Sequence, residues 1–222
     1  MGLDLSTETL VPDIVDEEQP ASVPAKKEEP KPINSTVIPN KFGESGTVAM
    51  IANPNGTKSY TAIMTGEVQE PGKYIQLLDT LYHANPGDTI TILIASPGGM
   101  VETGAALFTA FENTRAKVKT VGMGTVASIA SLIWMAGHER EMMPGSTLMV
   151  HGPSGMQAGK VSIIQEECEQ ISDYFKFMFV QLSKGVLTDE QLSRVLESRE
   201  DLFISAETLN DQMKKMAGGQ NG

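Results

Sequence analysis

The order of apolar and polar positions divides the chain near residue 45. The stretch EEQPASVPAKKEEPKP before that point has almost nothing to bury, so it cannot offset the entropy lost on ordering. Residues 1–45 hold six of the twelve prolines and nine acids against four lysines. We read them as a disordered acidic, Pro-rich tail. From Thr47 the pattern becomes regular. TVAMIA and TKSYTAIM flank NPNG, which predicts a hairpin turning at Asn-Gly. Tyr74, Leu77, Leu78, Leu81 and Tyr82 recur at helical spacing, and NPGD ends that helix. TITILIA is a short, nearly continuous apolar run, as in a strand buried on both faces. SPGG and a small-residue helix, VETGAALFTAFEN, come next.

The alternation continues downstream. VKTVGM predicts a strand, ASIASLIWMAG an apolar helix stopped by Gly137, and STLMV a strand that delivers His151. Residues 158–184 predict one long amphipathic helix. Thr188 and Gln191 form a capping box for TDEQLSRVLES. DLFISAETL reads as a turn into a last short helix capped by Ser205, and residues 216–222 as a loose end. Strand and helix alternate over residues 60–150, so the class is α/β with a largely parallel sheet, occupying residues 46–215.

Composition narrows the function. The 222 residues carry 17 Lys plus Arg against 28 Asp plus Glu, a net charge of −11, which argues against nucleic acid held by phosphate contacts. No run of about 18 apolar residues predicts a membrane span. The acidic start MGLDLSTETLVPD lacks the apolar segment of a secretory signal, so a cytoplasmic protein is expected. One Cys and three His supply neither a disulfide framework nor a multi-cysteine zinc site, and a metal site is possible but poorly supplied.

Four short segments carry candidate chemistry. In GTVASIAS, Ser128 sits where a strand end passes into an apolar helix, an exposed edge in α/β folds; a small packing residue would fit there too. Ser131, one turn on, reads as buried packing. SPGG lets backbone N–H groups approach a ligand closely, or is a plain strand-to-helix turn. His151 stands at a strand end before the Gly-rich GPSG, a suitable post for a general base, whereas His83 and His138 read as exposed. Asp201 reads as a surface acid in a turn; held against Phe203 and Ile204 it would instead be partly desolvated and suit a His N–H partner.

In this order, SPGG, GTVAS-I, LMVHGP and D-L-F-ISAE resemble the segments of the Clp protease proteolytic subunit, the ClpP family of serine peptidases. The intervals from Ser128 to His151 and from His151 to Asp201 are 23 and 50 positions, close to the family's. The resemblance runs from about residue 60 to 208. It implies a ClpP/crotonase-like α/β spiral with a projecting long helix. It also implies a Ser-His-Asp triad of Ser128 as nucleophile, His151 as base and Asp201 as its orienting partner. Gly98 and Ile129 would supply the oxyanion N–H groups, and this chemistry would require no metal or organic cofactor. Gly99 and the Gly-rich stretch of Gly152, Pro153, Ser154 and Gly155 would lie along a peptide or protein substrate. The family assembles as stacked heptameric rings around a chamber, so a homo-oligomer is expected, with an AAA+ unfoldase as partner.

Some positions depart from the family. Ala95 replaces the Asn before SPGG, and Thr91 and Leu93 stand where the family commonly carries aromatics that dock the unfoldase. A family-type C-terminal strand is not found in MKKMAGGQNG. These departures fit a divergent or phage-encoded member acting on capsid or scaffold proteins. Two other classes stay open: a catalytically silent assembly subunit, and a crotonase-type acyl-CoA enzyme.

Overall fold

The hairpin forms where Asn-Gly predicts it. β2 (Val48–Ala52) and β3 (Lys58–Thr65) pair antiparallel with Val48 opposite Ala62, and Gly56 supplies the positive φ of 86° in the turn. The structure is a computed structural model that describes residues 35–37, 45–152 and 161–218. Within the segment read as tail, β1 (Ser35–Val37) pairs antiparallel with β2 at the edge of the sheet.

β4 (Thr89–Ser96) and β5 (Lys117–Ala127) extend the sheet in parallel from β3. β6 (Glu139–Met142) and β7 (Thr147–Val150) both run parallel to β5, at successive stretches of its length. β8 (Leu202–Ser205) closes the far edge, antiparallel to β7. Among the described residues the sheet has eight strands in the order β1-β2-β3-β4-β5-β7-β8, with β6 beside β5. This mixed but mostly parallel α/β arrangement is consistent with the fold that the resemblance implies.

A 3-10 turn (Pro71–Tyr74) leads into α1 (Ile75–His83), and α2 (Val101–Asn113) packs on α1 and on α3 (Ile129–Met135). All seven α3 residues are buried, and Trp134 Nε1 donates to Glu141 O at 3.0 Å. Gly104 lets α2 come close: a Cβ there would run into the Ile129 side chain. After α4 (Val161–Leu182), the Thr188–Gln191 capping box opens α5 (Asp189–Leu196). Thr208 N–H donates to Ser205 Oγ at 3.3 Å, the expected cap of α6 (Ala206–Gly218).

The structure corrects three readings and adds a strand. The strand that begins VKTVGM does not stop at Met123 but continues to Ala127, because Thr125, Val126 and Ala127 pair with Thr147, Leu148 and Met149 of β7. EREM, too polar to read as a strand, is β6; its Glu139 and Glu141 pair with Lys117 and Lys119 of β5, each at 2.6 Å, while Met142 turns into the core. DLFIS is no turn but β8, with Leu202 and Ile204 buried. β4 is fully buried on one face alone, that of Ile90, Ile92 and Ile94; Thr91, Leu93 and Ala95 are half-buried.

Candidate active site

β5 and β7 end, and β8 begins, at one edge of the sheet, and each is next to one candidate. β5 hands Ser128 into α3. The Ser128 backbone has φ 55° and ψ −130°, outside the regions that a side-chain-bearing residue favours. Such a conformation costs about 1–3 kcal/mol and persists only when its surroundings hold it. Here they do. Ser128 N–H donates to Met149 O of β7 at 3.0 Å. Ser128 O accepts from both Ser131 N–H (2.9 Å) and Ser131 Oγ (2.5 Å). At this elbow Ile129 N–H takes the first position of α3, where no intrahelical acceptor exists.

His151 comes directly after β7, two residues beyond the Met149 carbonyl that holds Ser128, and is half-buried. β7 and β8 end their ladder with Val150 opposite Leu202. His151 follows that last pair on one strand and Asp201 precedes it on the other. Asp201 is exposed and Phe203 is 65% exposed, so of the two readings of Asp201 the surface acid is the one observed. Strand alternation explains this: Leu202 and Ile204 face the core, and Asp201 and Phe203 face away from it. Among the described residues no hydrogen bond joins the side chains of Ser128, His151 and Asp201.

SPGG lies against the elbow. Gly98 has φ 103°, and a Cβ on it would stand 2.6 Å from Ser128 Cβ and 3.2 Å from Ser128 Oγ. Both the conformation and the contact demand glycine. Gly99 is equally constrained, since a Cβ would collide with Val68 O. The turn is tied to the segment after β3: Val68 N–H donates to Gly98 O (2.8 Å) and Met100 N–H to Val68 O (2.9 Å). Gly98 N–H donates to Ser96 Oγ at 3.1 Å. Gly152 is half-buried beside His151, and Pro153, Ser154 and Gly155 lie outside the described residues.

Sequence reasoning missed three contributors. Val68 acts through its backbone, which leaves no trace in residue type. Ser131 reads as packing and is buried, yet its hydroxyl also binds the Ser128 carbonyl; its place three residues after Ser128 was the available signal. Ser96 is a buried hydroxyl two residues before Gly98, the spacing of a Ser turn that caps a backbone N–H. Of the other histidines, His83 is exposed beside Asp79. His138 is exposed too, but its ring accepts from Val118 N–H (3.1 Å) and meets Phe111 O (3.2 Å), so it ties β5 to α2.

A strained serine elbow beside a Gly-Gly turn, on a mostly parallel sheet of crotonase-like order, defines the class of ClpP-like hydrolytic folds. The family model for Clp protease matches residues 59–211, most of the described fold, and the chain belongs to that family. Membership supports a peptidase; the family forms oligomeric rings and acts on protein substrates. Among the described residues, no helix is long and apolar enough to cross a membrane.

Proposed function

We propose that this chain is a serine endopeptidase that cleaves peptide bonds through Ser128, His151 and Asp201 inside a self-assembled ring. The observation that carries the reading is the Ser128 elbow itself. A strained serine is held by Met149 O on one side and by Ser131 on the other, with Gly98 against its side chain. Ser128 Oγ attacks the substrate carbonyl, and its proton passes to the His151 imidazole while Asp201 orients the ring. Gly98 and Ile129 N–H groups receive the oxyanion. Collapse breaks the C–N bond, and His151 returns the proton to the leaving amine. Water, deprotonated by His151, then releases the acyl group from Ser128. Gly99 and residues 152–155 line the peptide in this reading.

Exposed Tyr174 and Phe177 on α4 support assembly, since a second copy would cover them. The working setting is the cytoplasm. The partner is an unfoldase, or a capsid or scaffold protein in a phage; Thr91 and Leu93 in place of aromatics weigh towards the latter.

A fluorophosphonate tests the reading. Ser128 Oγ forms a bond to phosphorus, fluoride leaves and the hydroxyl proton goes to His151. Labelling mapped to Ser128, lost in Ser128→Ala and strongly slowed in His151→Ala, is the expected result. A second reading, a silent assembly subunit, draws on the three side chains themselves, which share no hydrogen bond among the described residues. Intact, assembled protein that never labels at Ser128 would establish it over the first.

A further inference from the structure

The N–H that the proposed reaction needs at Gly98 is already in use. It donates to Ser96 Oγ at 3.1 Å, and Ser96 is 2% exposed, so water does not compete for that hydroxyl. We infer that Ser96 is a latch on the oxyanion site: its hydroxyl holds the Gly98 N–H in the resting enzyme, and acylation requires the N–H to leave it. This inference rests on the reading of Ser128 as nucleophile with Gly98 as an oxyanion donor.

The local construction fits a part that turns about fixed neighbours. Gly98 O is held by Val68 N–H and Met100 N–H is held by Val68 O, so the backbone from the Gly98 carbonyl to Met100 is anchored. The Pro97–Gly98 peptide is different. Pro97 is exposed, and the sole hydrogen bond of the Gly98 N–H among the described residues is the one to Ser96. Rotating this peptide changes ψ of Pro97 and φ of Gly98, and a residue without Cβ tolerates that change. On this inference the rotation swings the N–H off Ser96 to the side of Ser128, to which Gly98 lies so near that a Cβ would stand 2.6 Å from Ser128 Cβ. A buried donor is costly to leave unpaired, so the N–H stays on Ser96 until an oxyanion offers a better acceptor. Ser96 is therefore a positioning residue that sets the resting population of the competent site, and it does not touch the substrate.

The sign of the effect separates a latch from a structural serine. Removing the Ser96 acceptor frees the N–H, so Ser96→Ala should label at Ser128 about fivefold faster than the native chain, the scale of one neutral hydrogen bond. Its melting temperature should fall or stay level. Ser96→Thr keeps the acceptor and should label at the native rate. Ser96→Cys keeps the volume with a weaker acceptor and should also be faster, which preserves the test if the Ala variant misfolds. Equal or slower labelling of folded Ser96→Ala or Ser96→Cys, beside clear labelling of the native chain, would overturn the latch and leave the nucleophile standing. No labelling at Ser128 in any variant would remove the serine reading and the latch with it.

Discussion

The Ser128 backbone is strained, and single residues nearby decide whether the strain holds. Ser131 Oγ is one of two donors on the Ser128 carbonyl. Ser131→Ala should lower stability by about 1 kcal/mol, the ordinary worth of such a bond, and slow labelling of Ser128 severalfold, read by calorimetry and labelling kinetics. Gly98→Ala should abolish labelling, because the new Cβ meets Ser128 Cβ at 2.6 Å in a backbone region that alanine avoids. At this scale the sequence was informative about residue type and silent about contact. Ser128, His151 and Gly98 stood out by their neighbours in the chain. The Ser96 and Ser131 hydroxyls did not, because a side chain that binds backbone looks like any other buried serine. Asp201 was legible as a candidate, while its exposure comes from a strand that the local pattern did not reveal.

Elements set where these residues meet. α2 packs against the start of α3 at Gly104, and Gly104→Ala would push on Ile129, whose N–H is the second proposed oxyanion donor. Overpacking of this kind costs roughly 1–3 kcal/mol. We expect slower labelling together with a lower melting temperature. At the start of α6, Glu207 is held below the ordinary carboxylate range by its own backbone N–H, then by Gly145 N–H and the Ser205 hydroxyl. A depressed carboxyl stabilises above its unfolded-state value, and that contribution is lost as pH falls through the folded one. Glu207→Gln should therefore melt below the native chain at neutral pH, and the gap should close as pH drops past the carboxylate range. Long apolar strands and the capped helix α5 were readable because pattern and cap chemistry agree. β6 and β8 were not: four residues with alternate side chains outside the core carry too little period, and their pairing with β5 and β7 is a long-range choice.

Among the described residues, helices pack on one sheet and α4 leaves apolar side chains exposed. Phe175, Met178 and Phe179 are buried, while Tyr174 and Phe177 point outward, Phe177 56% exposed. Phe177→Glu should shift the protein to smaller assemblies by light scattering while circular dichroism stays native, since that side chain is no part of the subunit core. The family was legible from motif order, but the placing of Ser128, His151 and Asp201 at three adjacent strand ends depends on β5-β7-β8 order, which no local signal encodes. That order also carries a consequence for synthesis. Asp201 lies 50 positions after His151, and β8 can pair with β7 only once Ser205 has emerged. Under the proposed reading a nascent chain on the ribosome carries its nucleophile early and its orienting carboxylate late. On that reading the triad is complete only when β8, the last strand among the described residues, pairs with β7.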